Sequence, residues 1–163
     1  MTVTELEDYG MLQMDVEDIE KTLERKSIGV LGVPTDSAPL LRPLGFWYDG
    51  ESTLYFVYVL GADSRKVTVS DHADVARFLI YDVETTFNWR SVLLTGTIER
   101  VPGDERRAIE EQIDTSWTPD VFERAAETEA TALYRFRIDE RAGIKQLELP
   151  PELRTESSTS GPE

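Results

Sequence analysis

Three adjacent side chains, Ser64, Arg65 and Lys66, set a hydroxyl and two cations side by side in a strongly acidic chain. A hydroxyl, a guanidinium and an ammonium together offer many donors and two positive charges. Such a group can hold an anion through charge-assisted hydrogen bonds worth about 1.5–3 kcal/mol each. It can equally be a solvated strand end, since it follows the apolar run Leu54-Tyr55-Phe56-Val57-Tyr58-Val59-Leu60. The setting sharpens the question. The chain has 163 residues, 32 acids against 17 bases and a formal net charge of −15, and Lys66 is one of only four lysines. Further along, Trp89, Arg90 and Ser91 place a second hydroxyl beside a second cation.

Other chemistry is thin. There are no cysteines, so disulfides, thiolate metal ligands and cysteine nucleophiles are all excluded. His72 is the only histidine and has no ligand spacing around it, so no metal site is expected. Acids spread along the whole chain repel nucleic acid and anionic membranes, so neither is an expected partner. At about 1 M salt the Debye length falls to about 3 Å, where a surface of this charge becomes tolerable. A halophilic source is therefore expected, with a haloarchaeon the natural candidate. The N-terminus is acidic and no apolar run reaches about 18 residues, so a cytoplasmic protein is expected.

The elements that must position these residues follow from periodicity and turn signals. Residues 1–14 show no period and read as a flexible arm. Asp15 can cap a helix reaching about Lys26, with Val16, Ile19 and Leu23 on one face. A strand from Ser27 to Val33 stops at Pro34, and Leu40 to Tyr48 forms a second strand before the hairpin signal Asp49-Gly50. Residues 52–60, Val75–Tyr81 and Ser91–Val101 read as three more strands, with Gly96 as a bulge or point of close approach. Helices follow at 104–115, with Ile109 and Ile113 one turn apart, and after Thr118-Pro119, with Val121, Phe122 and Ala125 on one face. Leu133–Asp139 alternates as a last long strand, and 151–163 is a polar, Ser-rich tail expected to be disordered. One domain over 15–150 results: mainly β (α+β), a small antiparallel barrel with an N-terminal helix and a late helical pair.

The ordered set of these segments resembles the pyridoxamine 5'-phosphate oxidase-like superfamily. The segments are Ile28-Gly29-Val30-Leu31, Arg42-Pro43-Leu44-Gly45-Phe46-Trp47-Tyr48-Asp49-Gly50, Leu54-Tyr55-Phe56, Ser64-Arg65-Lys66, Trp89-Arg90-Ser91-Val92 and Thr95-Gly96-Thr97-Ile98. The resemblance implies a flavin-binding split β-barrel that carries FMN in a groove between the two copies of a homodimer. It implies that Ser64, Arg65 and Lys66 grip the FMN phosphate, with Ser91 adding a hydroxyl. The ring-binding strand would be Pro43-Leu44-Gly45-Phe46, where Gly45 lets the backbone come close and Pro43 sits where pairing is interrupted; an edge strand with an ordinary proline is the alternative. Phe46, Tyr58 and Trp89 would either touch the ring or fill the core, and Val92 accompanies Ser91. Trp117 would either reach the partner's site or anchor its own segment.

In the same superfamily the vitamin-converting oxidases carry a C-terminal Trp followed by Arg-Leu-x-Pro. This chain reads Gln146-Leu147-Glu148-Leu149-Pro150-Pro151-Glu152 towards its C-terminus and lacks that motif. The resemblance therefore leans to the short relatives that include nitroimidazole-resistance proteins. It implies an FMN-dependent oxidoreductase or flavin reductase for a small molecule, with a non-catalytic flavin carrier or a deazaflavin enzyme as alternatives.

Overall fold

The computed structural model describes residues 3–59, 75–112 and 131–153. Ser64, Arg65, Lys66, His72, Trp117 and the second late helix lie outside the described residues, as do residues 154–163. The elements are α1 (Val3–Asp8), β1 (Met11–Gln13), α2 (Val16–Arg25), β2 (Ile28–Val33), β3 (Leu40–Gly45), β4 (Trp47–Tyr48), β5 (Thr53–Val59), β6 (Ala76–Thr85), β7 (Asn88–Arg100), α3 (Gly103–Gln112) and β8 (Thr131–Gln146), with a final 3-10 turn at Pro151–Leu153.

The strands form one antiparallel sheet in the order β3-β2-β6-β7-β8-β5-β4, and β1 pairs with β8. Its two ends, β3 and β4, are consecutive pieces of one segment. The segment leaves β2 at Phe46, whose N–H donates to the Ser27 carbonyl at 2.9 Å, and joins β5 at Trp47. Such a sheet must curl to bring its ends together, and the result is a split β-barrel. Pairing thus breaks at Phe46 and not at Pro43, which stays opposite Val30 in an unbroken edge ladder.

Inside the barrel Phe78 is the hub, with no exposure. Its ring meets Phe46 edge-on at 5.3 Å and lies 4.9 Å from Phe56 and 6.4 Å from Phe136. Gly29 makes room for it, since a Cβ there would stand 2.5 Å from Phe78 Cε1. Leu31, Leu54, Ile80, Val92 and Leu94 complete the wall of the core. The strand register shifts between Thr95 and Gly96, where a Cβ would run into the Arg137 carbonyl oxygen, so the expected bulge is present.

Asp15 caps α2 by accepting the Asp18 N–H at 2.8 Å. Ile19 and Leu23 are buried, but Val16 is 80% exposed, because the first helical residue precedes the helix's contact with the sheet. Thr22 takes the place next to Leu23, its hydroxyl donating to the Asp18 carbonyl at 2.9 Å. Asp49 makes the expected hairpin by accepting N–H bonds from Glu51, Ser52 and Thr53.

Two expectations need correction. Residues 3–13 are folded onto the body: Leu6 is buried and Met11–Gln13 pair with Ile144–Gln146. The last strand does not end at Asp139 but runs to Gln146, because β7 and then β1 supply partners for a stretch with no apolar alternation. The helix expected at 104–115 is present as α3, in which no residue is fully buried and whose described part ends at Gln112. Among the described residues no helix is long and apolar enough to cross a membrane.

Candidate functional site

The register places three rows of residues across the outside of β3, β2, β6 and β7. Leu41, Gly32, Arg77 and Thr95 form one row. Pro43, Val30, Leu79 and Leu93 form the next. Gly45 faces Ile28 on one side of the third row, and Tyr81 faces Ser91 on the other. Because successive side chains alternate between faces, these residues all point away from the core. Ile28, Leu41, Val75, Tyr81 and Val83 are more than half exposed, which is unusual for an apolar sheet face of this extent.

A groove of about 530 Å³ follows this face, floored by Val30, Leu79 and Leu93 and walled by Val33, Pro34, Pro39, Leu41 and Val75. Gly32 leaves the floor open, since a Cβ there would press Leu41 Cδ2 at 3.3 Å. Among the described residues Arg77 is the one charged residue in its lining, and no acid pairs with it. A second depression of about 360 Å³ adjoins the groove at Val30, lined by Arg25, Lys26, Ser27, Ile28, Gly29, Pro43 and Tyr81.

The structure brings together Pro43, Gly45 and Ser91 on this face. It separates Leu44, Phe46 and Val92, whose side chains turn into the core, leaving only their backbone for a ligand. For Phe46 the core therefore wins over ring contact. Trp89 stands one row beyond Ser91, opposite Val83, half-buried, and its Nε1 donates to Gln146 Oε1 at 3.1 Å. Buried Gln146 in turn donates from Nε2 to the Tyr9 carbonyl at 3.1 Å, so the N-terminal segment holds the indole in place. Tyr58 lies in β5 opposite Ala132, two strands away from β7 in the sheet order. Sequence reasoning missed Val30, Arg77, Leu79, Tyr81 and Leu93. Their signal was present: β2 and β6 are apolar at both odd and even positions, the pattern of a strand covered on two faces.

The flanks are pinned by ion pairs. Lys145 Nζ lies 2.6 Å from Asp18 Oδ2, and this hydrogen bond holds the Asp18 carboxyl below the usual aspartate range. At the barrel's closing end, Tyr48 Oη lies 2.8 Å from Glu20 Oε1 and accepts from Arg141 Nη1 at 3.1 Å. Burial there raises the Tyr48 phenol above its ordinary value. Among the described residues no group of His, Asp or Glu is arranged to hold a metal ion.

A curled antiparallel sheet closed through one shared segment, with an apolar groove outside its first strands, defines a split-barrel protein. The profile of the pyridoxamine 5'-phosphate oxidase family matches residues 15–145, and the chain belongs to that family. No curated protein matches the chain. Among solved structures, an FAD-binding protein from Mesorhizobium loti is similar with a TM-score of 0.66 at 17% identity, over 83% of this chain and 97% of its own. An FAD and heme binding protein from Mycobacterium smegmatis gives 0.66 at 18% identity, over 85% and 75%. A flavocytochrome from Azotobacter vinelandii gives 0.63 at 22% identity, over 91% and 74%. At these identities the likeness is one of fold.

Proposed function

We propose that the chain binds a flavin nucleotide, FMN in the first place, on the outer face of β3-β2-β6-β7 and acts as a flavin-dependent oxidoreductase or flavin reductase on a small molecule. The observation that carries this reading is the groove: about 530 Å³, walled by aliphatic side chains, with a free strand edge beside it. Its size suits a ligand of this class. A flat aromatic ring fits the floor of Val30, Leu79 and Leu93. Because β3 pairs with β2 alone among the described residues, half of its backbone N–H and C=O groups point off the sheet, towards where the polar edge of a ring would lie. Ser91 adds a hydroxyl and Arg77 a cation, and Ser64, Arg65 and Lys66 are the proposed phosphate ligands. Names of structural neighbours support flavin binding, and two of them place FAD beside FMN as the nucleotide to test.

When bound, the flavin supplies hydride or electron transfer. The chain's own part is to hold the ring flat, to exclude water from one side of it, and to orient its polar edge. Equilibrium dialysis in molar salt should show uptake of FMN or FAD with a flavin absorption spectrum. Absence of uptake of either nucleotide, and of a deazaflavin, would end the proposal. A second reading, a flavin carrier without turnover, draws on the groove lining, which among the described residues contains no acid or base besides Arg77. Bleaching of the bound flavin by a nicotinamide donor separates the two.

The exposed apolar rows also need a cover, and we propose a second copy of the chain, packed face to face about a two-fold axis with the flavin sites between. Light scattering should then return twice the 18.5 kDa chain mass. Leu93→Arg should give a monomer, and a wild-type monomer that binds flavin tightly would contradict the dimer.

A further inference from the structure

The depression next to the groove has a composition at odds with the rest of the molecule. In a chain with 32 acids and 17 bases, its lining among the described residues holds two cations, Arg25 and Lys26, two hydroxyls, Ser27 and Tyr81, and no acid. The cations do have one acidic neighbour behind them. Arg25 Nη2 lies 2.7 Å from Asp82 Oδ2, and Lys26 Nζ lies 3.2 Å from Asp82 Oδ1. One carboxylate thus fixes two positive charges and cancels only one of them. Asp18, Lys21, Glu24 and Arg90 lie around a separate depression, with Arg25 between the two.

The remaining donors are free to act. Neither the Ser27 nor the Tyr81 hydroxyl has a hydrogen-bond partner among the described residues. Arg25 and Lys26 keep N–H groups that Asp82 does not use, and their side chains are 57% and 31% exposed. Position at the end of α2 explains positive charge, because the helix C-terminus attracts cations. It does not explain two hydroxyls and the exclusion of every acid.

We propose that this depression binds the anionic head, a carboxylate or a phosphate, of the small-molecule substrate, whose apolar body lies over the adjoining groove. Two cations and two hydroxyl side chains line a space of about 360 Å³ that meets the groove at Val30. That is the arrangement that recognises an oxyanion on an otherwise apolar molecule. Asp82 acts as a positioning residue that holds Arg25 and Lys26 in place. The substrate assignment rests on the groove being the flavin site; the anion site itself does not.

Calorimetry with benzoate, phenyl phosphate and neutral benzyl alcohol tests it, on protein with and without flavin. Both anions should bind at least about tenfold more tightly than the alcohol, and the better of the two identifies the head group. Arg25→Gln with Lys26→Gln should weaken the anions by about tenfold or more and change flavin affinity less than twofold. Ser27→Ala with Tyr81→Phe, which leaves every ion pair in place, should weaken the anions severalfold. Equal binding of anions and alcohol overturns the proposal. So does a proportionate loss of flavin in the Arg25/Lys26 variant, which would assign the depression to the cofactor's own phosphate. Anion binding without any flavin uptake would uphold the site while removing the reading of the groove.

Discussion

A protein carrying Arg65→Ala and Lys66→Ala should lose about 3–6 kcal/mol of FMN affinity if the two contacts add, and somewhat less if they share the same oxygens. The argument is electrostatic. An FMN phosphate is a dianion brought against a chain with a formal net charge of −15, so only close, charge-assisted hydrogen bonds can hold it. Molar salt screens the distant acids while leaving such contacts nearly intact. Riboflavin has the same ring and no phosphate, and its affinity should hardly change. Titration of both ligands by flavin fluorescence makes the comparison. Parallel losses would show that Arg65 and Lys66 support the fold and hold no phosphate.

Phe78→Ala should cost about 3–5 kcal/mol of stability, a large share of the 5–15 kcal/mol typical of a domain. The ring has no exposure, touches Phe46, Phe56 and Phe136, and fills the space above Gly29, so its loss leaves a cavity that no neighbour can close. Leu79→Ala, one residue on, makes an instructive contrast. It faces the groove, so it should lower the urea midpoint only slightly while weakening flavin binding and dimer formation. If the two variants unfold at the same midpoint, the assignment of faces along β6 is wrong.

That alternation marks the boundary of what the sequence made legible. Local signals were readable where the physics is local: Asp15 as a cap, Pro34 as a stop, Asp49-Gly50 as a turn and Gly96 as a bulge. Signals failed where a partner far along the chain decides. Nothing in residues 3–13 announces that buried Gln146 will bind the Tyr9 carbonyl, or that β8 will reach far enough to pair with Met11–Gln13. The break at Phe46 depends likewise on the Ser27 carbonyl.

The site divides in the same way. Of the residues named from these segments, Pro43, Gly45 and Ser91 share the groove's face, while a strand's two-residue period sends Leu44, Phe46 and Val92 to the other side. Arg25, Lys26 and Tyr81 escaped notice because α2, β2 and β6 meet only after folding.

Segment 40–48, which supplies both β3 and β4, also bears on the time course of folding. Its two pairings are with immediate neighbours, β2 before it and β5 after it, so both can form early as hairpins. The pairings that lock the barrel are remote: Val30 with Leu79, and Val59 with Thr131. Chain entropy must be given up before those contacts return anything, which makes them the slow events. Refolding should therefore begin with two hairpins swinging on a common hinge at Phe46, and the rate should be set by how soon β6 and β8 arrive to fix the angle between them.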